Sequence, residues 1–283
     1  MPAFSWLPFT AASVILIGVS MAFYKLPAVR KLHSTSVAFW ALMAPAIFSF
    51  FSFAVFLPQT NLRMLLLAFL WGSSFAAISA LQMAALLHTD ATALFPVTAT
   101  LSVAATVTLG IVFLGEHITV WQTIGTAIIL FSVFSFLYRR KLPFSKPAAL
   151  FAVGIIALSP FNKVVQKIAA DSVDIQAFQI WQYTFGALFL TAILLLRERN
   201  LFFSRLREGA KSGILIGIFS FLGGYAFLLA LERGPISLIS PVFSLYTFVT
   251  AAIAFVFFRE RLTFPRVLLL FIAAGAVFLL RIG

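Results

Sequence analysis

Cysteine is absent from the 283 residues. That excludes disulfides and thiolate metal centres, the two staples a short chain most often uses. Acids are scarce, with Asp and Glu numbering 8 against 20 Lys and Arg, so paired-carboxylate chemistry has few residues to draw on. His33, His88 and His117 are the only histidines, and each stands alone near the end of an apolar run. No His-Glu-x-x-His spacing, glycine-rich phosphate loop or Ser-His-Asp arrangement is present, which removes the sequence grounds for a metalloprotease, a nucleotide-driven motor or a hydrolase. We expect no enzyme activity, no metal and no cofactor.

What is abundant is apolar surface. The chain is 62% hydrophobic and 10% charged, far below the roughly 25% charge of soluble domains. A bilayer span needs about 20 mostly apolar residues, and ten such windows fit end to end. They run at about Phe9 to Leu26, Thr35 to Leu57, Leu62 to Leu87, Ala91 to Leu114, Val120 to Tyr138, Ala148 to Val165, Ile175 to Leu196, Gly213 to Leu231, Ile236 to Phe258 and Arg266 to Leu280. The first window has no basic stretch before it and no small-residue cleavage site after it, so it reads as a span and not as a signal peptide. The net charge of +12 is carried by short connections, where it acts as a topology signal facing anionic lipid and not as a nucleic-acid footprint. The connection Arg197 to Lys211 is the longest, and its Leu201-Phe202-Phe203 suggests a piece lying at the membrane interface.

The chain repeats itself. Pro96 to Thr119, PVTATLSVAATVTLGIVFLGEHIT, returns as Pro241 to Thr263, PVFSLYTFVTAAIAFVFFRERLT. Phe23-Tyr24-Lys25 is echoed by Phe161-Asn162-Lys163, and Ala38-Phe39 by Ala177-Phe178, at a nearly constant offset. Collinear matches of this kind indicate duplication. The fold class expected is therefore an all-α integral membrane protein of ten transmembrane helices in two five-helix repeats, 1-138 and 148-283, joined by a linker at 139-147. Because five is odd, the second repeat enters from the opposite side, and the repeats are inverted. Inverted repeats are the usual basis of alternating access around a midplane site.

The Gly-Glu-His-Ile-Thr at 115 to 119, the Arg-Glu-Arg-Leu-Thr at 259 to 263, and the run from Ala230 to Val242 (ALERGPISLISPV) resemble the EamA-like branch of the drug/metabolite transporter superfamily. The resemblance implies a ten-helix carrier of small metabolites, amino acids among them, with helices 1, 3, 4, 6, 8 and 9 around a central cavity. It also implies frequent export. The first span holds no acid, so the carboxylate-centred drug/proton exchange of small multidrug relatives does not carry over.

Glu116 and Glu260 stand at span ends with Thr119 or Thr263 three residues later, a pattern that suits loop fixing and helix capping better than chemistry. Pro96 and Pro241 are expected hinges or gates, since proline removes an internal helix bond. Lys25 and Lys163 are expected to meet an anionic group of the cargo, with Tyr24, Gln82, Asn162, Tyr225 and Tyr246 completing a substrate site. Gln176, Gln179 and Tyr183 share one face of the seventh span and are expected to form an interhelical seam. The hydroxyl stripes Thr98-Ser102-Thr106 and Ser237-Ser240-Ser244-Thr247 suit close helix packing.

The function expected is secondary active export or exchange of small polar or amphipathic metabolites. The expected partners are the lipid bilayer, a metabolite and a proton or counter-substrate. We expect a monomer or homodimer in the plasma (bacterial inner) membrane, with no nucleic-acid partner. Two alternatives from other classes are a membrane-embedded lipid-modifying enzyme and a non-transporting membrane subunit. Basic residues gather in the odd-numbered connections, which the positive-inside rule places in the cytoplasm with both termini outside.

Overall fold

A computed structural model describes residues 5–24, 34–86, 88–89, 91–137, 145–205, 207–258 and 263–282. Backbone N–H and C=O groups find no water in hydrocarbon, so an apolar chain must satisfy them within helices. The described chain does so with α1 (Leu7–Phe23), α2 (Ser34–Phe53), α3 (Leu62–Leu86), α4 (Ala91–Leu114), α5 (Val120–Leu137), α6 (Lys146–Ser172), α7 (Ile175–Arg205), α8 (Ala210–Arg233), α9 (Ile236–Phe243), α10 (Tyr246–Phe258) and α11 (Phe264–Ile282). Nine apolar helical stretches are long enough to cross a membrane, Ile236–Phe257 being one of them, and α1 is a shorter apolar helix of 17 residues. The ten windows read from the sequence all fall on helices, nine of them long enough to span, and no strand occurs among the described residues.

The boundaries depart from the sequence reading in three places. The second span tightens into a 3₁₀ turn over Ala54–Gln59 around Pro58. The seventh helix runs unbroken to Arg205, so Leu201-Phe202-Phe203 is a helical continuation of α7 beyond the apolar span that ends at Leu196. The ninth span is broken between α9 and α10, at Ser244 and Leu245.

The chain ends of the helices sort onto two faces. On one, the Glu116 face, the Trp6 ring lies on Gly234, the Trp181 indole donates to Thr60 at 2.9 Å, and Lys167 donates to the Leu231 carbonyl at 2.7 Å. On the other, the Ser145 face, Ser145 donates to the His88 carbonyl at 3.2 Å, and the Gly209 N–H donates to Ser36 at 3.0 Å. Hence α1 runs from the Glu116 face toward the Ser145 face, and α6 runs the other way.

The largest interfaces come in matched sets. α1 packs on α8 and α6 on α3; α2 packs on α8 and α7 on α3; α4 packs on α6, and α1 on α9 and α10. The remaining large ones, α5 with α11, α2 with α7 and α4 with α9, pair corresponding spans of the two halves. Exchange of the spans matched by the sequence repeat maps these interfaces onto one another, whereas the α4–α5 and α6–α8 interfaces have no counterpart of like extent among the described residues. Small residues allow these approaches, because without hydrophobic drive between spans close van der Waals contact carries association. At Gly72 an added Cβ would meet Phe185 Cβ at 2.6 Å and Gly186 N at 2.7 Å, and at Gly217 it would meet Ala44 Cβ at 2.6 Å. The outer shell is apolar, with Phe51 79% and Leu196 89% exposed, which is the lipid-facing surface of a multi-pass membrane protein.

Candidate functional site

α6 carries a concentrated polar stretch. Asn162, Lys163, Gln166 and Lys167 crowd two successive turns, and each finds a different neighbour. The Asn162 amide nitrogen donates to the Trp71 carbonyl at 2.9 Å and to the Ser74 hydroxyl at 2.9 Å, both on α3. Gln166 donates to the Gln182 side-chain oxygen at 3.2 Å on α7. Lys167 pairs with Asp171 at 2.8 Å one turn on and with the Leu231 carbonyl. Lys163 differs: its ammonium lies 5.3 Å from the centre of the Phe243 ring, and no carboxylate among the described residues pairs with it. It is half-buried.

Phe243 is the last residue of α9, where the ninth span breaks. The break follows from local bonding: Ser244 N–H reaches both Ser240 and Pro241 carbonyls at 3.1 Å, and the next bonds, Leu245 to Val242 and Phe248 to Leu245, close tight turns at 3.0 Å. Ser244 then spends its hydroxyl on the Pro241 carbonyl at 2.6 Å. Around this break the Phe243 ring packs on Phe227 of α8 at 4.5 Å and on Tyr246 of α10 at 5.4 Å. Lys163 thus meets one ring, Phe243, which is itself packed against Phe227 and Tyr246. A charge in the middle of a span costs about 3 kcal/mol, and a lone ring returns about 1 to 2 kcal/mol of cation–π attraction. Stability therefore does not account for Lys163.

The other residues singled out from the sequence are dispersed. Tyr24 caps the end of α1 and is 43% exposed; Lys25, its neighbour, lies outside the described residues. Gln82 is half-buried near the Ser145 end of α3. Asn162 is 7% exposed and bonded to α3, which makes it a helix tie. Tyr225 turns away from the cluster: its hydroxyl accepts from Gln176 at 3.1 Å and its ring lies 4.8 Å from Phe53 of α2. Pro96 sits within an unbroken α4, while Pro241 sits one turn before the break. The two prolines, equivalent in sequence, occupy unlike helices.

The expected amide seam is present. Gln176 reaches Tyr225, Gln179 donates to the Phe221 carbonyl at 3.0 Å, and Tyr183 donates to the Ser220 carbonyl at 3.0 Å, tying α7 to α8. The hydroxyl stripes are buried: Thr98 and Thr106 bond back to their own helix at 3.0 and 2.7 Å, and Ser102, Ser237 and Ser240 hold hydroxyls with no partner.

Glu116 is a joint, as its sequence position suggested, and its partner is in the other half of the chain. The carboxylate accepts from the Ile236 N–H at 2.7 Å and the Ser237 N–H at 2.8 Å, the first free donors of α9. Gly115, at φ 67°, lets the chain turn back so that Glu116 N–H closes on the Gly110 carbonyl at 3.2 Å. Thr119 caps α5 by accepting from Gln122 N–H at 3.3 Å, while the Gln122 side chain accepts from Thr119 N–H at 3.0 Å. Glu260 lies outside the described residues.

Phe243 and Phe227 were not singled out from the sequence. Among 35 phenylalanines a functional ring carries no composition signal. One signal was present: where the first copy of the repeat reads Pro-Val-Thr at 96 to 98, the second reads Pro-Val-Phe at 241 to 243.

Nine span-length apolar helical stretches and the shorter α1, packed in this way, define a multi-pass α-helical membrane protein. Residues 146–282, just under half of the chain, match the EamA-like transporter family, which supports a place for the chain in the drug/metabolite transporter superfamily. One solved crystal structure superposes with a TM-score of 0.73 at 14% identity, over 95% of this chain and 97% of its own. That likeness carries the fold alone. No curated protein matches the sequence.

Proposed function

We propose that the protein is a secondary carrier of small polar or amphipathic metabolites, exporting or exchanging them by alternating access between two inverted five-helix repeats, 1-138 and 148-283, about the linker 139-147. The matching of the largest interfaces on exchange of the halves, with α1 and α6 running in opposite directions, supports the repeat relation. The single observation that carries the cargo site is Lys163, an ammonium within a span that has a ring beneath it and no acid paired with it among the described residues. A carrier gains from that arrangement, because a carboxylate or other anionic group of the cargo supplies the missing partner only when bound.

In this reading Tyr246 shares the Lys163 wall, Tyr24 and Gln82 line the approach from the Ser145 face, and Lys25 offers a second cation. Asn162 and Tyr225 hold helices in place around the site. Pro241 sets the break in span nine, and Pro96 marks its counterpart in α4. The membrane is the plasma (bacterial inner) membrane, and a proton or a counter-substrate supplies the driving force. The test is flux in proteoliposomes with a panel of amino acids, amines and phosphorylated metabolites. Uptake or exchange of at least one anionic member, lost in Lys163→Met, is the expected result. A flat panel sinks the reading.

A further inference from the structure

The Glu116 carboxylate and the Lys163 cluster are joined by one short rigid element. α9 has only eight residues, Ile236–Phe243, or about 12 Å at 1.5 Å per residue. Its first two N–H groups are held by Glu116, from the turn between α4 and α5. Its last residue, Phe243, carries the ring under the Lys163 ammonium. Beyond it the helix ends in the tight turns at Ser244 and Leu245, so α9 can move without dragging α10 as a continuous rod.

The surface of α9 is built for movement in a second respect. Ser237 and Ser240 are both 0% exposed, and their hydroxyls have no partner. Ser102, on the facing α4, is 6% exposed and likewise unpartnered. Serine hydroxyls in a helix commonly bond back to the preceding turn, and Ser79 and Ser172 do so elsewhere in this chain. Buried hydroxyls left unpaired on these two packed helices give up bonds that a shift or hydration of their packing restores. The charge-assisted pair at Glu116 is the strong polar tie across the same interface, since hydrogen bonds to an ionised acceptor are about twice as strong as neutral ones.

We propose that Glu116 latches a gate on its own face of the membrane, and that α9 is the arm linking this latch to the cargo site at Lys163. The arm rests on the carrier reading above; the latch does not. When an anion draws Lys163 off the Phe243 ring, α9 shifts, the Ile236 and Ser237 N–H groups leave Glu116, and the interface with α4 opens. Glu116 is a positioning residue in this scheme and touches no cargo.

The chain has no cysteine, so a single introduced thiol reports cleanly. Ser240→Cys is nearly isosteric and breaks no hydrogen bond, because the Ser240 hydroxyl makes none. Its modification by a small impermeant methanethiosulfonate from the Glu116 face, in vesicles, measures opening of the gate. Glu116→Gln, which puts an amide where two N–H groups point, is expected to speed that modification about tenfold or more, as loss of a charge-assisted bond predicts. Ile236→Pro removes one latch donor from the other half at the first helical position, where proline is tolerated, and is expected to act in the same direction. Both variants are checked for a single monodisperse peak in detergent before labelling. Wild-type labelling rates in both folded variants overturn the latch.

Lys163→Met is expected to change the Ser240→Cys rate by threefold or more, and an unchanged rate overturns the arm. None of these rates depends on knowing the cargo. Faster labelling in Glu116→Gln together with a flat transport panel therefore keeps the latch and removes the carrier reading, and the converse result does the reverse.

Discussion

Lys163 and Asn162 are adjacent, polar and in the same span, yet the structure assigns them opposite energetic roles. The Asn162 amide spends two donors on α3 at 2.9 Å each, so Asn162→Leu is expected to destabilise the protein. Interhelical hydrogen bonds in membranes average about 0.6 kcal/mol each, which predicts a loss of about 1 kcal/mol, read as a lower melting temperature in detergent with the cargo KM little changed. Lys163 contributes no such tie. Lys163→Met is expected to leave the melting temperature unchanged or raised, because it removes a charge that costs about 3 kcal/mol within a span, and to abolish flux of anionic cargo. A variant that melts earlier and still transports would reverse the assignment. The sequence placed both residues in one site because type and spacing were all it offered. Which way each points depends on the α3 backbone, whose Trp71 carbonyl no pattern announces. Glu116 was legible for the opposite reason: a Gly before it, a Thr after it and its place at a span end mark a turn. The identity of its partner, 120 positions away, was not.

Helices in lipid associate through close contact, so the glycines separate into those that set a crossing and those that do not. Gly72 is of the first kind, facing Phe185 Cβ and the Gly186 backbone. A methyl there cannot be absorbed by a flexible side chain, and Gly72→Ala is expected to cost about 1 to 3 kcal/mol by overpacking. Gly275 on α11 is of the second kind, with nothing within 4 Å of an added Cβ. Gly275→Ala is expected to be neutral or stabilising by up to about 1 kcal/mol, through helix propensity alone. Thermal denaturation of the two variants side by side checks the contrast, and equal melting temperatures would contradict it. The helices themselves were readable as long apolar windows, because the bilayer leaves the backbone no other option. The interruption of span nine was not, since Pro96 and Pro241 look alike in sequence. The break arises from the Ser244 hydroxyl and N–H turning back on Pro241; the position that matches Ser244 in the first copy is Ala99, which has no hydroxyl to turn back.

At the scale of the whole molecule the two faces differ in charge. Among the described residues the Glu116 face gathers Glu116, Asp171, Asp174 and Glu232 with Arg63, Lys167, Arg233 and Arg281, so acids and cations balance there. The Ser145 face gathers Lys146, Arg205, Arg207, Lys211 and Arg266. Arg and Lys near span ends set orientation, whereas acids contribute little, so the Ser145 face is expected to be cytoplasmic. The absence of native cysteine makes this directly measurable. Val120→Cys at the start of α5 is 74% exposed on the Glu116 face, and Lys211→Cys lies exposed at the start of α8 on the opposite face. In intact cells an impermeant maleimide is expected to label Val120→Cys at once and Lys211→Cys only after permeabilisation. The reverse pattern would put the Glu116 latch on the cytoplasmic side, and the gate it holds would then admit cargo from the cytoplasm and not release it outside. With the expected pattern, closure at Glu116 leaves the Lys163 cluster to be reached from the cytoplasm past Tyr24. That is the resting state an exporter requires, because cargo must bind before the outer gate opens.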